Sequence, residues 1–487
     1  MSMTPLFMPF RQCCLAVLAC FVLVPVVAAQ QAGAIVPIAS LRVRAEAWDW
    51  FDGGDEGRYG FGAAHLRLGA ARDVQRYGWR VEFASPVLFG LPTDAIRPAP
   101  AGQLGLGGAY HEANDNARNT VGLFAKQLFF RVGAAPSATG HTLRAGRFEF
   151  NDATEWMPRD PTLARVRSTR LSHRVIGTFG FTHGQRSFDG AQYTHTTVTQ
   201  GITVAAFRPT VGVFSVDGAR ALDVDVVYAS VNRTVGSAAA PADVRAFVLQ
   251  YEDRRGTVPM DSRPLAARTN APRGVGVTSV GGHWTQRLGD ADRPFDLMVW
   301  GIRQFGHWGG LTHAAGALAV EAGWRDVTHA RRPALRLGIV RSSGDDDPTD
   351  GRHTTFFQVL PTPRTYALFP FHNLQNIEEE FVSGEFSPIP RLTLRASAHL
   401  LRLREGADLW MLGGGAIDPR GFGYAGRPTG GETDLGQALN LSAAWQPSPR
   451  LQFELFVAHA TGGAVTAASY GGVHSGRVLL LETTLRR

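Results

Sequence analysis

The sequence predicts an all-β protein, a transmembrane antiparallel β-barrel of about 18 strands with long extracellular or plugging loops. Three observations lead there. The chain opens with an export signal; beyond it, no apolar run approaches the roughly 20 residues that a membrane helix requires; and segments of about ten residues alternate apolar and polar side chains nearly to the C-terminus. A chain with these properties that crosses a membrane does so with strands.

The signal runs from Met1 to about Ala29, with one basic residue, Arg11, an apolar run from Cys13 to Val27, and Val27-Ala28-Ala29 ahead of Gln30. That is the pattern of a secretory signal with a small-residue cleavage site. A lipoprotein cut before Cys20 is the competing reading, but the apolar run continues past that cysteine. The predicted domains are therefore a signal peptide, 1–29, and a single outer-membrane barrel, 30–487. All three cysteines, Cys13, Cys14 and Cys20, fall inside the signal. The rest of the chain has no disulfide and no zinc-thiolate site, although an exported protein meets an oxidising compartment.

Hydrophobic residues make up 44% of the chain and charged ones 19%, which excludes a disordered chain. The formal net charge is +7, and of the 49 basic residues only Lys126 is a lysine. Arginine's planar fork suits carboxylates and phosphates. A GC-rich genome produces the same bias through codon usage, so only arginines with inward strand parity bear on function.

Seven segments fit the strand template. In the first, Leu41, Val43, Ala45 and Ala47 oppose Arg42, Arg44 and Glu46. Trp79, Val81 and Phe83 alternate with Arg80 and Glu82; Leu222, Val224, Val226 and Tyr228 with Asp223 and Asp225; Phe247, Leu249 and Tyr251 with Gln250, Glu252 and Arg254. Further along, Leu335, Leu337 and Ile339 oppose Arg336, and Leu451, Phe453, Leu455 and Val457 oppose Gln452 and Glu454. The clearest is 392–400, where Thr393, Arg395, Ser397 and His399 share the polar face. At Leu400-Leu401 the apolar parity flips, which predicts a bulge or the end of the spanning part. Less regular segments at 61–71, 121–132, 141–148, 185–195, 201–208, 277–288, 295–305, 314–325, 375–386, 436–446 and 478–485 complete the count. An even number closes the sheet, so that no unpaired edge faces lipid.

The long connections, 90–119, 149–174, 255–274, 343–373 and 405–435, are rich in Gly, Pro, Asp and Asn and are expected outside the membrane or folded into the lumen. Trp48, Trp50, Trp300, Trp324, Trp410 and Trp445 lie near strand ends, where membrane girdles would place them.

Gln185-Arg186-Ser187-Phe188-Asp189-Gly190 sets a positive and a negative group three residues apart and is read as part of a pore wall. Four segments resemble the alginate export family of outer-membrane proteins. They are Val175-Ile176-Gly177 through that hexapeptide; Arg208-Pro209-Thr210-Val211-Gly212-Val213-Phe214; Trp300-Gly301-Ile302-Arg303-Gln304-Phe305-Gly306 with Glu321-Ala322-Gly323-Trp324; and Ser343-Gly344-Asp345-Asp346-Asp347-Pro348 leading into Phe356-Phe357-Gln358-Val359-Leu360-Pro361-Thr362-Pro363-Arg364. The last, continuing through Phe371-His372-Asn373-Leu374-Gln375-Asn376, is the most specific.

The resemblance implies an 18-stranded barrel in the bacterial outer membrane whose arginine-lined lumen conducts an anionic exopolysaccharide, an alginate-like polyuronate, outwards from the periplasm. It also implies gating loops and periplasmic secretion scaffold partners. By motif it places Arg186 and Asp189 in the conduit, and with them Arg144 and Arg147 of Leu143-Arg144-Ala145-Gly146-Arg147-Phe148. Strand parity adds Arg42, Arg44, Lys126, Arg254 and Arg395. The chain is expected to be monomeric, to meet outer-membrane lipid, and to bind no nucleic acid. A general or organic-acid anion porin is the alternative. A barrel enzyme is the rival from another class, and the sequence has no G-x-S-x-G elbow to support it. No cofactor is expected; Asp345, Asp346 and Asp347 offer oxygen ligands for calcium in a loop but lack EF-hand spacing.

Overall fold

A computed structural model of the chain describes residues 33–51, 54–135, 138–362 and 368–487. The predicted signal with its three cysteines lies outside the described residues, as do Pro363 and Arg364 of the fourth family-like segment. Among the described residues, eighteen antiparallel strands form one sheet closed on itself. They are β1 Val36–Asp49, β2 Arg58–Asp73, β3 Tyr77–Phe89, β4 Phe124–Gly133, β5 Gly140–Phe148 and β6 Phe188–Thr196. Next come β7 Gln200–Pro209, β8 Val224–Gly236, β9 Pro241–Asp253, β10 Val275–Leu288, β11 Phe295–Trp308 and β12 Leu311–Arg325. The circle ends with β13 Ala334–Ser342, β14 Ile377–Phe386, β15 Leu392–Leu403, β16 Asp434–Ser448, β17 Leu451–Gly462 and β18 Ser475–Arg486. Each strand pairs with the next, and β18 returns to β1 with Ser40 opposite Arg486 and Asp49 opposite Arg477. Closure pairs every spanning backbone group, the condition for placing a sheet in lipid. No helix among the described residues is long and apolar enough to cross a membrane.

The outer surface is the lipid-facing one. Leu128, Val231, Val280, Leu318, Leu337, Val382, Leu400, Leu441, Leu455 and Leu481 all stand exposed on it. At one end the strands join through short turns, such as 74–76 and 449–450; at the other lie the long connections, including 90–123, 149–187, 343–376 and 404–433. These four fold back into the barrel. They bring Leu104, Tyr110, Val175, Ile176, Phe356, Phe357, Leu360, Phe371, Trp410 and Tyr424 into one apolar core with the inner faces of the strands.

That core inverts the polarity of the wall at the long-loop end. The predicted alternation holds for β1, β3, β13, β15 and β17, but in β8 and β9 the two faces exchange roles. Val224, Val226, Tyr228, Phe247, Leu249 and Tyr251 point inward and are buried, while Val227 and Val248 are the exposed apolar residues. Asp223, Asp225, Gln250, Glu252 and Arg254 are therefore external, because the plug supplies an apolar surface inside and water lies outside this end of the wall. The same cause explains the apparent parity change in β15. The predicted irregularity is present, between Leu401 and Arg402 opposite β16. Leu401 and Leu403 nonetheless keep the inward parity of His399 and pack into the plug.

The tryptophans serve the plug more than the girdle. Trp48, Trp50, Trp300 and Trp410 are buried in the core, whereas Trp445 is external and stacks on Phe453 with ring centroids 5.6 Å apart. Trp284, Phe295 and Phe386 join Trp445 as exposed aromatics near the short-turn end, where a membrane girdle belongs.

Candidate functional site

The connection 149–187 carries the largest group of inward charges. Its short helix, α1 Pro161–Val166, starts where Asp160 accepts hydrogen bonds from the backbone N–H groups of Thr162 and Leu163, both at 3.0 Å. Proline at the first helical position loses no hydrogen bond there. The helix runs into a π turn, Arg167–Leu171, and this winding spreads Arg165, Arg167, Arg170 and Arg174 across one side of the lumen. Arg167 donates to Asp243 Oδ1 at 3.0 Å, and His283 Nε2 lies 2.9 Å from the same carboxylate. Arg170 Nε and Arg174 Nη2 meet Glu321 at 2.6 and 2.7 Å. Arg336 reaches from Glu321, at 3.5 Å, to Asp296 at 2.6 Å. Strand parity alone missed the four loop arginines. The signal for the first three was the run Arg165-Val166-Arg167-Ser168-Thr169-Arg170, whose spacing suits a helix.

Across the lumen, β1 anchors the same connection. Arg42 donates to the carbonyls of Gly180 and Thr182 at 2.7 and 2.6 Å. Arg44 pairs with Glu482 at 2.7 Å and donates to the Phe181 carbonyl at 2.9 Å. Lys126 occupies the bulge where β4 slips against β3 between Glu82 and Phe83. Its ammonium donates to the Arg186 carbonyl at 2.7 Å and lies 3.5 Å from Glu149. Burial would raise the Glu149 carboxyl, but Lys126 and Arg67 outweigh it and hold the group at about 2. Arg144 points inward, donates to Gln192 Oε1 at 2.6 Å, and lies over the Phe148 ring at 4.2 Å.

Toward the short-turn end charged side chains of the lumen are solvent-accessible. Glu385 there accepts from Arg395 at 2.8 Å and from Arg165 at 3.0 Å, with Arg325 at 3.7 Å. One carboxylate faces three guanidinium groups. The Arg395 side chain keeps 51% of its surface exposed, so its charge remains available to a passing ion.

Four predicted pore residues lie elsewhere. Arg186 is fully buried inside the plug, and its guanidinium donates to the carbonyls of Gly414, Pro361 and Ala416 while facing the Phe179 ring at 5.6 Å. Burial lowers it to about 10, which leaves it charged at neutral pH. Asp189 is outward on β6 and pairs with Arg147 at 2.6 Å on the external rim. Arg254 joins the same rim through Asp225 at 2.9 Å. The hexapeptide therefore splits between plug and outer wall. Strand β6 begins at Phe188, whose ring packs inward on Phe207 and sends its neighbour Asp189 outward.

The three aspartates of the acidic turn also separate. Asp345 is buried and accepts from Ser262 at 3.0 Å and Thr354 at 3.2 Å, Asp346 is exposed, and Asp347 caps the turn by accepting from Thr349. Among the described residues no group of three or more His, Cys, Asp or Glu side chains is placed to hold a metal ion.

Asp408 ties 404–433 to 343–376. It accepts from Thr355 Oγ1 at 2.6 Å and from the Asp345 N–H at 3.0 Å. Burial raises its carboxyl to about 7, and the nearby Asp345 pushes in the same direction. An unfolded aspartate titrates near 4, so between about pH 4 and 7 the folded loop binds the extra proton and stability falls as pH rises. The expected outcome is a loop junction that is tightest below about pH 4 and loosens through pH 7. Trypsin cleavage of 404–433 measured against pH checks this, and Asp408→Asn should remove the dependence.

Comparison with known proteins places this geometry in context. The family model for alginate export matches residues 107–477. No curated protein matches the sequence. Among solved structures, Pseudomonas aeruginosa OccK2 (OpdF) aligns with TM-score 0.53 at 12% identity, covering 92% of this chain and 98% of its own. The same protein solved in complex with glucuronate gives TM-score 0.52 over the same shares, also at 12% identity. Acinetobacter baumannii OccAB4 aligns with TM-score 0.53 at 8% identity, covering 93% and 98%. At such identities the likeness is one of fold.

Proposed function

This chain belongs to the alginate export family, and from that premise we propose that it is an outer-membrane channel conducting an anionic, uronate-type polysaccharide from periplasm to exterior. The observation that carries the reading is the solvent-accessible cluster of Arg165, Arg325 and Arg395 around Glu385, in which three guanidinium groups face one carboxylate. Charged rings of this kind select ions of the opposite sign, and transport needs several weak sites rather than one tight one. The short-turn end, which carries both ends of the sheet, faces the periplasm on this reading, with the plugging loops outside. The chemistry supported is passage rather than catalysis. Periplasmic scaffold proteins would deliver the polymer.

A second reading has its own support. The long-loop half of the barrel is filled by an apolar core, which favours small organic anions over a polymer unless the loops move. The fold is shared with a protein solved with bound glucuronate, a single uronate.

Planar-bilayer conductance of the refolded protein separates the two. Anion-selective channels blocked by oligouronate, and not by neutral oligosaccharide, support the exporter; channels indifferent to oligouronate but permeable to monomeric uronate support the porin. Arg395→Glu sets a second carboxylate beside Glu385 and should lower the anion-to-cation permeability ratio about threefold or more. An unchanged reversal potential in a salt gradient would remove Arg395 from the conduit.

A further inference from the structure

A cleft between the inward-folded connections remains unused by the conduit described above. Trp50, Phe179, Phe181, Phe214, Asn373 and Arg427 line it. Phe179 and Phe214 meet edge to face with centroids 5.7 Å apart, giving the cleft a fixed aromatic wall.

Arg427 belongs to the small hairpin formed by Trp410–Gly413 and Tyr424–Arg427. Its Nε and Nη2 donate to the carbonyl of Ala101 at 3.0 and 2.8 Å, and Nη2 also reaches the Gln103 carbonyl at 2.8 Å. The guanidinium lies over the Trp410 ring at 5.2 Å. It is 4% exposed, no ion pair involving it is formed among the described residues, and its Nη1 is buried without a hydrogen-bond partner. Asn373 Nδ2, on the same cleft, is a second buried donor without a partner, although Oδ1 of the same side chain accepts from the Gln375 backbone N–H at 2.9 Å. Unsatisfied buried donors and an uncompensated buried cation are costly, and an anionic acceptor relieves both.

We propose that this cleft binds one carboxylated sugar unit, its carboxylate on Arg427 Nη1 and Asn373 Nδ2 and its less polar ring face against Phe179 and Phe214. A few polar groups on an apolar wall are the make-up of a small-ligand site. The choice of a uronate rests on the polyuronate reading above; the donor set and aromatic wall do not. The site lies in the plug, separate from the Arg395 cluster, so bound sugar would hold together the connections that must move for a polymer to pass.

Isothermal titration calorimetry of the detergent-solubilised full barrel tests this with a uronate trimer, a neutral trisaccharide and acetate. The uronate is expected to bind at least tenfold more tightly than either control. Arg427→Gln should weaken it tenfold or more, and Asn373→Ala, which leaves the Arg427 clamp on Ala101 and Gln103 intact, severalfold. Equal binding of neutral sugar or acetate, or uronate affinity unchanged in Asn373→Ala and in folded Arg427→Gln, overturns the proposal. The two readings fail separately: channels that ignore uronate while these substitutions still weaken its binding remove the exporter and leave this site in place.

Discussion

Glu321→Gln is expected to destabilise the barrel and free the connection 149–187. Glu321 is fully buried on β12 and accepts from Arg170 Nε at 2.6 Å and from Arg174 Nη2 at 2.7 Å, so one carboxylate pins two successive turns of the loop to the wall. Glutamine keeps the shape but removes the charge, leaving Arg170 and Arg174 without their carboxylate in a buried setting. Breaking one partner out of a buried ion network costs about 3–5 kcal/mol. Arg336 retains Asp296 at 2.6 Å, so the loss falls on the loop more than on β13. Two measurements are decisive, the melting temperature in detergent and the variance of single-channel current. A fall of several degrees with larger current fluctuation is expected, and Glu321→Asp should restore part of both. Identical melting and quiet channels would mean that the loop is held by its apolar contacts alone.

The second large effect concerns Arg186, and it distinguishes a plug residue from a pore residue. Arg186→Met should raise conductance severalfold while leaving ion selectivity nearly unchanged. The guanidinium joins Gly414 and Ala416 of one connection to Pro361 of another, and the Arg186 carbonyl receives the Lys126 ammonium. Methionine fills similar space but leaves those carbonyls without a donor, a loss on the order of 3 kcal/mol. The backbone there is already strained, since Gln185 and its bridge partner Val213 have φ of 54° and 62°. Weakening the clamp should let the loops open. Lysine would rescue only partly, because a single ammonium lacks the spread of a guanidinium. A selectivity change at constant conductance would instead return Arg186 to the pore wall.

The rim and the plug show where strand parity stops being informative. Alternation in 392–400 puts Arg395 on the inner face, the face on which it meets Glu385, because lipid covers the opposite face along that stretch. The same alternation in 247–254 assigned Arg254 to the lumen, and the structure puts it outside on Asp225. Nothing local distinguishes the two. Tyr251 is buried against Phe357 of a connection about a hundred residues away, with centroids 5.1 Å apart. Period-two patterning reports that a strand has an apolar face and a polar face, and not which of them is covered by lipid.

By itself the sequence determined the strand periodicity, a count of about eighteen strands, the positions of the long connections and the abundance of arginine. Each is a local property of spacing and composition. Tertiary structure decided which arginines meet water, which clamp carbonyls and which sit on the outer rim. The physical reason is that the plug supplies a second apolar environment inside the barrel, so the side of the wall that a charge occupies depends on residues far away in the chain.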